Sequence, residues 1–446
     1  MTEGKAGCLL GVSTHGVKYT GFVVMGFRSN LQNKSFVFFW LAQLISQFGD
    51  RINQMALVGL VTGHQLGVQA GSAMDLAKLM AFTIFPVFVV GPIAGVYVDR
   101  WDRKTTMFVC DLIRGALVLT IPLIFIYKQS MWPVYGVVFL AFCLSRFYVP
   151  AKLSIIPEIV DAQALHAANS LATVTGMIAF VLGALLGGLI VEYWGARGGF
   201  LIDAATFFVS ALLVSLISRP KLRNMRREEL IHAGKEMACA YKNVWHEVID
   251  GVAYIVVHRE IRYIINLMMI LFMAAGAIYV VIIIFIQESF GSVTKHLGFM
   301  AVGLGVGLFL GSLAYGKWGD KNKHVETIFS SLIAGGIMLA LFAFAVNAFK
   351  SIWVAQGLAI ALGFVVGPIV IASNTVVHKV ASTAMQGKVF STMEFAIHFA
   401  FLVTMLLSSK LSEFVPRGWI LMAVGFVFFL VGLFGLWKYR KGEIIE

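Results

Sequence analysis

The chain has 446 residues, 59% of them hydrophobic and only 13% charged, with 44 Gly, 37 Phe and a mean hydropathy of +0.85. An average soluble protein carries about 45–50% apolar and about 25% charged residues; this composition needs lipid as solvent and excludes a cytosolic enzyme, a secreted disulfide scaffold and a disordered regulator. The net charge of +12 fits basic loops held on one membrane face better than it fits nucleic-acid binding.

Residues 1–35 are mixed in character, show no signal-peptide pattern and read as a cytoplasmic N-terminal segment. A helix needs about 20 apolar residues to cross about 30 Å of hydrocarbon. On that criterion spans are predicted near 36–62, 74–98, 105–127, 132–157, 164–192 and 197–218. Six more follow near 262–288, 297–317, 325–347, 351–378, 387–409 and 416–437. The expected architecture is an all-α membrane protein of twelve helices: an N-terminal six-helix bundle (36–218), a basic linker (219–261), a C-terminal bundle (262–438) and a cytoplasmic tail (439–446).

Most of the 35 Lys and Arg fall on the termini and the even-numbered loops, counting Lys152 with the loop after span four. Both termini are therefore expected in the cytoplasm, and a bacterial inner membrane is the expected location. The linker opens RPKLRNMRREEL, suited to an anionic inner leaflet, and its later part has the spacing of an interfacial helix. Cys8, Cys110, Cys143 and Cys239 show no CxxC spacing, so neither a metal site nor a disulfide framework is expected.

Ionisable residues inside spans are expensive and mark candidate sites. In span one, Gln43, Gln47, Asn53 and Gln54 make a polar stripe around Asp50 and Arg51. At ~1.5 Å per residue Asp50 lies ~21 Å from the inner surface. Asp50 reads equally as a proton carrier, a contact for a cationic substrate, or a structural partner of Arg51 or a neighbouring helix. Neighbours on a helix point ~100° apart, so at most one of Asp50 and Arg51 is expected to face a central cavity squarely.

Asp111 and Arg114, i,i+3 in span three, read as a local pair near the cytoplasmic end. Arg146, in span four, reads first as a structural bridge to the loop between spans two and three, and second as a charge that neutralises an anionic substrate or depresses a carboxylate pKa. Glu394 and His398 share one face of span eleven at i,i+4. Their expected roles, in order, are structural pair, proton relay and metal ligand. Asp203 in span six reads as structural, and Glu288 as reaching the water interface.

The loop after span two reads GVYVDRWDRKTTM, and Gly95, Asp99, Arg100, Arg103 and Lys104 fit G-x-x-x-D-R-x-x-R-K. Gly95 permits close helix approach. A partial copy, GKWGDKNKH, follows span eight, where Gly316, Asp320 and Lys321 fit and Lys323 arrives one residue early. The spacing resembles the signature loop of the major facilitator superfamily, and Asp99 and Asp320 stand about half the chain apart, as a duplicated six-span unit requires.

FFWLAQLISQFGDRI, SRFYVPAKLSIIPEIV, HAANSLATVTG, LIDAATFFVSALLV and MQGKVFSTMEF are similar to the branch of macrolide, multidrug and siderophore exporters. LGALLGGLI in span five is similar to the family's antiporter glycine motif: Gly183, Gly187 and Gly188 are present, but Ala184 stands where proline is usual. The resemblance covers residues 36–438.

It implies two bundles rocking about a midplane site between spans one, four, seven and ten. Asn374 and His378 then join Arg146 and the span-one stripe as substrate contacts. The two loops, Asp111, Arg114 and the span-five glycines take gating roles. The expected activity is proton-coupled export of a small amphipathic molecule by alternating access, with Asp50 first and Glu394 second as proton carrier. Lysophospholipid translocation is the alternative within transport, and a membrane receptor or scaffold the alternative of another class. There is no GxxxxGK[ST] loop; no cofactor, nucleic acid or enzymatic activity is expected, and the partners are substrate, protons and membrane lipids around a monomer.

Overall fold

A computed structural model describes residues 29–62, 72–91, 94, 101–128, 130–218, 259–292, 294–319, 324–380 and 386–441. Every regular element among them is helical. Span one is Lys34–Thr62. Span two starts as Ala73–Ile84 and continues through the short helix Pro86–Val89. Spans three and four are Arg103–Lys128 and Met131–Ile159, and spans five and six share the helix Leu165–Ser215. Arg259–Phe290, Lys295–Trp318, His324–Phe349, Ile352–Val380, Gln386–Leu411 and Arg417–Arg440 are spans seven to twelve. Nine of the described helices are long and apolar enough to cross a membrane, and one, Ala162–Ser215, holds two spans. With spans one and two the count reaches twelve. The linker's expected interfacial helix lies outside the described residues.

Local chemistry sets the helix ends. Asn33 caps span one by accepting from the Phe36 amide at 3.2 Å, while its Nδ2 donates to the Ile159 carbonyl and Asn30 Nδ2 donates to Ala164. Ser72 and Asp75 form a reciprocal capping box at the start of span two. Asp102 caps span three through the Thr105 amide at 2.9 Å. Spans five and six reverse at Gly195, whose φ of 75° and ψ of 171° lie in a region essentially reserved for glycine.

Each half repeats one packing scheme. Span one lies against spans five and six, two against four, and three against four and six. In the second half seven packs on eleven, eight on ten, and nine on ten and twelve. This equivalence is what duplication of a six-helix unit produces. Glycines set the closest crossings: a Cβ on Gly367 of span ten would lie 2.7 Å from the Leu308 carbonyl oxygen of span eight. Leu212, Phe344, Leu407 and Phe426 are more than half exposed on the outer circumference, where lipid is the solvent.

We call the end carrying the start of span one the near end and the opposite one the far end. Among the described residues, Phe88 of span two meets Phe395 of span eleven edge-on, ring centres 5.0 Å apart, in the near half, and hydrogen bonds join the halves toward the far end. Gln54 Nε2 donates to Tyr279 Oη at 3.0 Å, Gln287 Nε2 to Thr62 Oγ1 at 2.9 Å, and Thr294 Oγ1 to the Gly188 carbonyl at 2.8 Å. Glu192, closing span five, uses one oxygen to accept from Ser292 Oγ and from the Thr294 and Lys295 amides, at 3.1, 2.9 and 3.2 Å. A carboxylate of one bundle thus caps the first turn of span eight in the other.

Candidate functional site

A cavity of about 290 Å³ is lined by spans one to four. Its span-one wall follows the helical repeat: Gln43, Ser46, Gln47, Asp50, Arg51, Asn53, Gln54 and Leu57. The opposite flank of that helix, including Ile52 and Ala56, is buried against spans five and six. Span four contributes Ser145, Arg146, Tyr148, Val149 and Lys152, and span three contributes Arg114. Asp50 and Arg51 both border the space, but in different company. Arg51 donates to Gln54 Oε1 at 3.1 Å and lies 4.8 Å from the Phe180 ring centre.

Asp50 pairs with Arg114 across the bundle, not with its neighbour Arg51: Arg114 Nη2 donates to Asp50 Oδ1 at 2.6 Å. Arg114 Nη1 reaches Asp111 Oδ1 at 3.3 Å, and Ser210 Oγ donates to the other Asp111 oxygen at 2.6 Å. The pair read locally from the sequence is therefore one arm of a network joining spans one, three and six. The guanidinium sits 4.1 Å from the Phe207 ring centre and 5.4 Å from that of Tyr148. Arg114 and Asp111 side chains are 5% and 0% exposed, whereas Asp50 is 41% exposed toward the cavity. Asp203, also fully buried, lies beneath Gly49, where a Cβ would come within 2.7 Å of its Oδ1. Three carboxylates thus surround one guanidinium.

Three buried polar atoms of the lining have no hydrogen-bond partner: Gln43 Oε1, Asn53 Oδ1 and Arg146 Nε. Gln43 Nε2 is engaged, donating to Tyr148 Oη at 2.6 Å. Arg146 lines the cavity and feels the carboxylate of Glu394 from span eleven. Glu394 and His398 face one another within their helix, His398 Nδ1 lying 3.3 Å from Glu394 Oε2 and 2.8 Å from the Glu394 carbonyl. The His398 ring also stands 6.4 Å from Phe272 of span seven. Asn374 and His378 lie on the span-ten helix with side chains outside the described residues. Among the described residues no group of three His, Cys, Asp or Glu could hold a metal ion.

At the near end, Arg103 pairs with Glu158 at the close of span four. Lys104 Nζ donates to the Ser215 and Ile217 carbonyls at 2.7 and 2.6 Å, capping the end of span six. Gly95, Asp99, Arg100 and Asp320 lie outside the described residues. The span-five glycines face two ways. Gly183 and Gly187 press on Arg51 and Ile52 of span one, while Gly188 presses on Thr294 and Gly298 of span eight. Ala184 meets the same crossing, since a Cβ on Gly298 would come within 2.5 Å of its carbonyl oxygen.

The model of the Major Facilitator Superfamily matches residues 39–399 and 264–443. The chain belongs to that superfamily. Relatives within it include an uncharacterized MFS-type transporter of Bacillus subtilis, YfiS, 29% identical over 40% of this chain and 41% of that one. The macrolide efflux protein A of Streptococcus pyogenes is 24% identical over 68% of this chain and 71% of its own. The multidrug resistance protein MdtG of Salmonella arizonae is 25% identical over 74% and 76%. Among solved structures, the tetrameric PepTSo2 superposes with a TM-score of 0.67 at 13% identity, covering 92% of this chain and 98% of that one. A bacterial homologue of the iron transporter ferroportin, in an inward-facing state, gives 0.64 at 14% over 91% and 99%. At such identities the structures show the fold alone; the superfamily match and the long apolar helices make the chain a multi-pass membrane protein of a transporter family.

Several participants were not singled out from the sequence. Lys152 was counted with a loop because it follows Pro150 near the end of an apolar run, yet it lines the cavity. Tyr148 and Ser210 look like ordinary span residues until their partners are known. Glu192 resembles any carboxylate at a span end.

Proposed function

We propose that this superfamily member is a secondary active transporter that exports a small amphipathic molecule in exchange for protons by alternating access. The observation that carries the reading is the cluster of Asp50, Asp111 and Asp203 around Arg114. Three carboxylates share one guanidinium behind the cavity face, a crowding of like charges that binding a proton relieves locally, although the face itself also carries Arg51, Arg146 and Lys152. Asp50 is the member open to the cavity, so it exchanges that proton with the transport path, and Glu394 beside Arg146 is a second carrier. One proton charge moving down 100 mV supplies ~2.3 kcal/mol, enough for roughly fortyfold accumulation. With both termini in the cytoplasm, hydrogen bonding toward the far end supports an inward-facing form, the state that loads cargo for export. The similarity to macrolide and multidrug efflux proteins supports that direction.

The test is proton flux in liposomes with wild type and Asp50→Asn in parallel, against a panel of amphipathic compounds. Flux that depends on cargo and disappears in the variant is expected. Solute movement without proton flux overturns the coupling.

A second reading, translocation of a lysolipid, is favoured by a groove of about 700 Å³ between spans seven, eleven and twelve, lined by Met273, Leu407, Trp419 and Val427 among others. Acyl chains suit such an apolar surface. Headgroup-dependent transport of fluorescent lysolipid tests it.

A further inference from the structure

We infer that the cargo carries an anionic group, a carboxylate or phosphate, received in the polar cavity by Arg146 and Lys152 of span four with Arg51 of span one. The inference rests on the transporter reading and narrows its substrate class. Four cations line the cavity (Arg51, Arg114, Arg146 and Lys152) against one carboxylate, Asp50. Asp50 already accepts from Arg114, whose other arm holds Asp111. Arg51, Arg146 and Lys152 form no ion pair among the described residues. Lys152 feels the Asp50 carboxylate without pairing to it, Asp111 and Asp203 are buried behind the wall, and Glu394 approaches Arg146 from span eleven.

Three such cations within a membrane are costly unless a counter-charge arrives. Arg146 adds a directional argument, because its Nε is buried with no acceptor. An anionic oxygen is the group that a guanidinium fork holds best. The two orphan acceptors, Gln43 Oε1 and Asn53 Oδ1, ask for donors on the same molecule, a hydroxyl or an N–H. The space of about 290 Å³ accommodates such a head. The cavity therefore selects an amphipathic acid bearing a hydrogen-bond donor. A neutral or cationic amphipath meets the same walls with three like or unanswered charges.

The probes are N-decanoylserine, its neutral serinamide, and decylammonium, with lysophosphatidylglycerol as an anionic lipid of similar size. Binding is measured by equilibrium titration of the purified full-length protein in detergent, and transport of each probe is followed in liposomes. The acid is expected to bind at least about tenfold more tightly than the amide. Arg146→Gln and Lys152→Gln should each erase most of that preference, and an unchanged thermal unfolding midpoint reports that the variants are folded. Lys152→Arg should retain the preference.

Tight binding of lysophosphatidylglycerol over N-decanoylserine assigns the anion to a lipid source, and the reverse order assigns it to a free acid. Equal binding of acid and amide, or an acid preference that survives the Arg146→Gln/Lys152→Gln double variant, overturns the inference. Transport of decylammonium without the acid overturns it while leaving the transporter reading intact. Binding of the acid with no movement of any probe overturns the transporter reading instead.

Discussion

Glu192 concentrates the far-end closure in one side chain, and removing it should open that end. Its Oε2 accepts three hydrogen bonds, all from span eight or the turn before it, at 2.9 to 3.2 Å. Hydrogen bonds to a charged group contribute about 1.5–3 kcal/mol each in favourable cases, and a carboxylate at a helix N-terminus adds about 0.3–1 kcal/mol. Because Glu192 is half-buried and the three donors share one oxygen, the combined worth is nearer about 2–3 kcal/mol than the sum. These bonds join the two bundles, so they are lost when the far end opens. Their whole value falls on the equilibrium between the two states. Glu192→Ala should therefore raise the population open at the far end by about 30- to 150-fold. Glu192→Gln keeps an acceptor oxygen but loses the charge, and should raise it less.

The assay is labelling of Leu57→Cys by a charged, water-soluble maleimide in a background lacking the four native cysteines. Leu57 is 1% exposed, lines the cavity and lies about one turn beyond Gln54 toward the far end. When opening is fast relative to labelling, the rate follows the open population. A Glu192→Ala protein labelled at the starting rate, or one indistinguishable from Glu192→Gln, refutes the reasoning.

Other expectations follow from the same geometry. Arg114→Gln leaves the buried Asp111 with only the neutral partners Ser210 and Tyr148 and should destabilise the protein by about 3–5 kcal/mol; chemical unfolding should show Asp111→Asn restoring much of the loss in the double variant, and strict additivity counts against the network. Gly195→Ala forces a side chain into a glycine-only conformation and should lower stability by about 1–3 kcal/mol, read as a fall in the thermal midpoint. Gly188→Ala would set a Cβ 2.7 Å from the Thr294 carbonyl oxygen. In the Leu57→Cys background it should speed maleimide labelling as Glu192→Ala does, with little change in the packing within either bundle.

The spans were legible because lipid imposes one rule on all of them, about 20 apolar residues without a break. The reversal between spans five and six was legible too, since Gly195 lies between the predicted boundaries at 192 and 197. The polar stripe of span one reads at helical spacing, and the same period brings Gln43, Gln47, Asp50, Asn53 and Gln54 to one cavity. What could not be read is which helix lies opposite. Arg114 finds both a carboxylate three residues away and another 64 residues away in sequence, and spacing reveals only the first. Glu192 is harder still, because its partners are backbone amides, which every residue but proline carries. Lys152 shows the limit of counting charges by segment: a cation near a span end is assigned to the loop unless its helical face is known.

The reversal at Gly195 also determines what the far end presents to water. Tyr193 and Trp194, each 70% exposed, immediately precede it, and Trp132, Trp353 and Trp419 open spans four, ten and twelve at the same end, 71%, 74% and 66% exposed. Aromatic rings of this kind settle at the headgroup layer. A hairpin that turns within one residue beside two of them stays at that layer and does not rise above it. The hairpin between spans five and six therefore shows almost no relief there, and a binding protein raised against it would find two exposed rings and little loop to grip. For the same reason a reporter peptide inserted at residue 195 would pull those rings out of their layer.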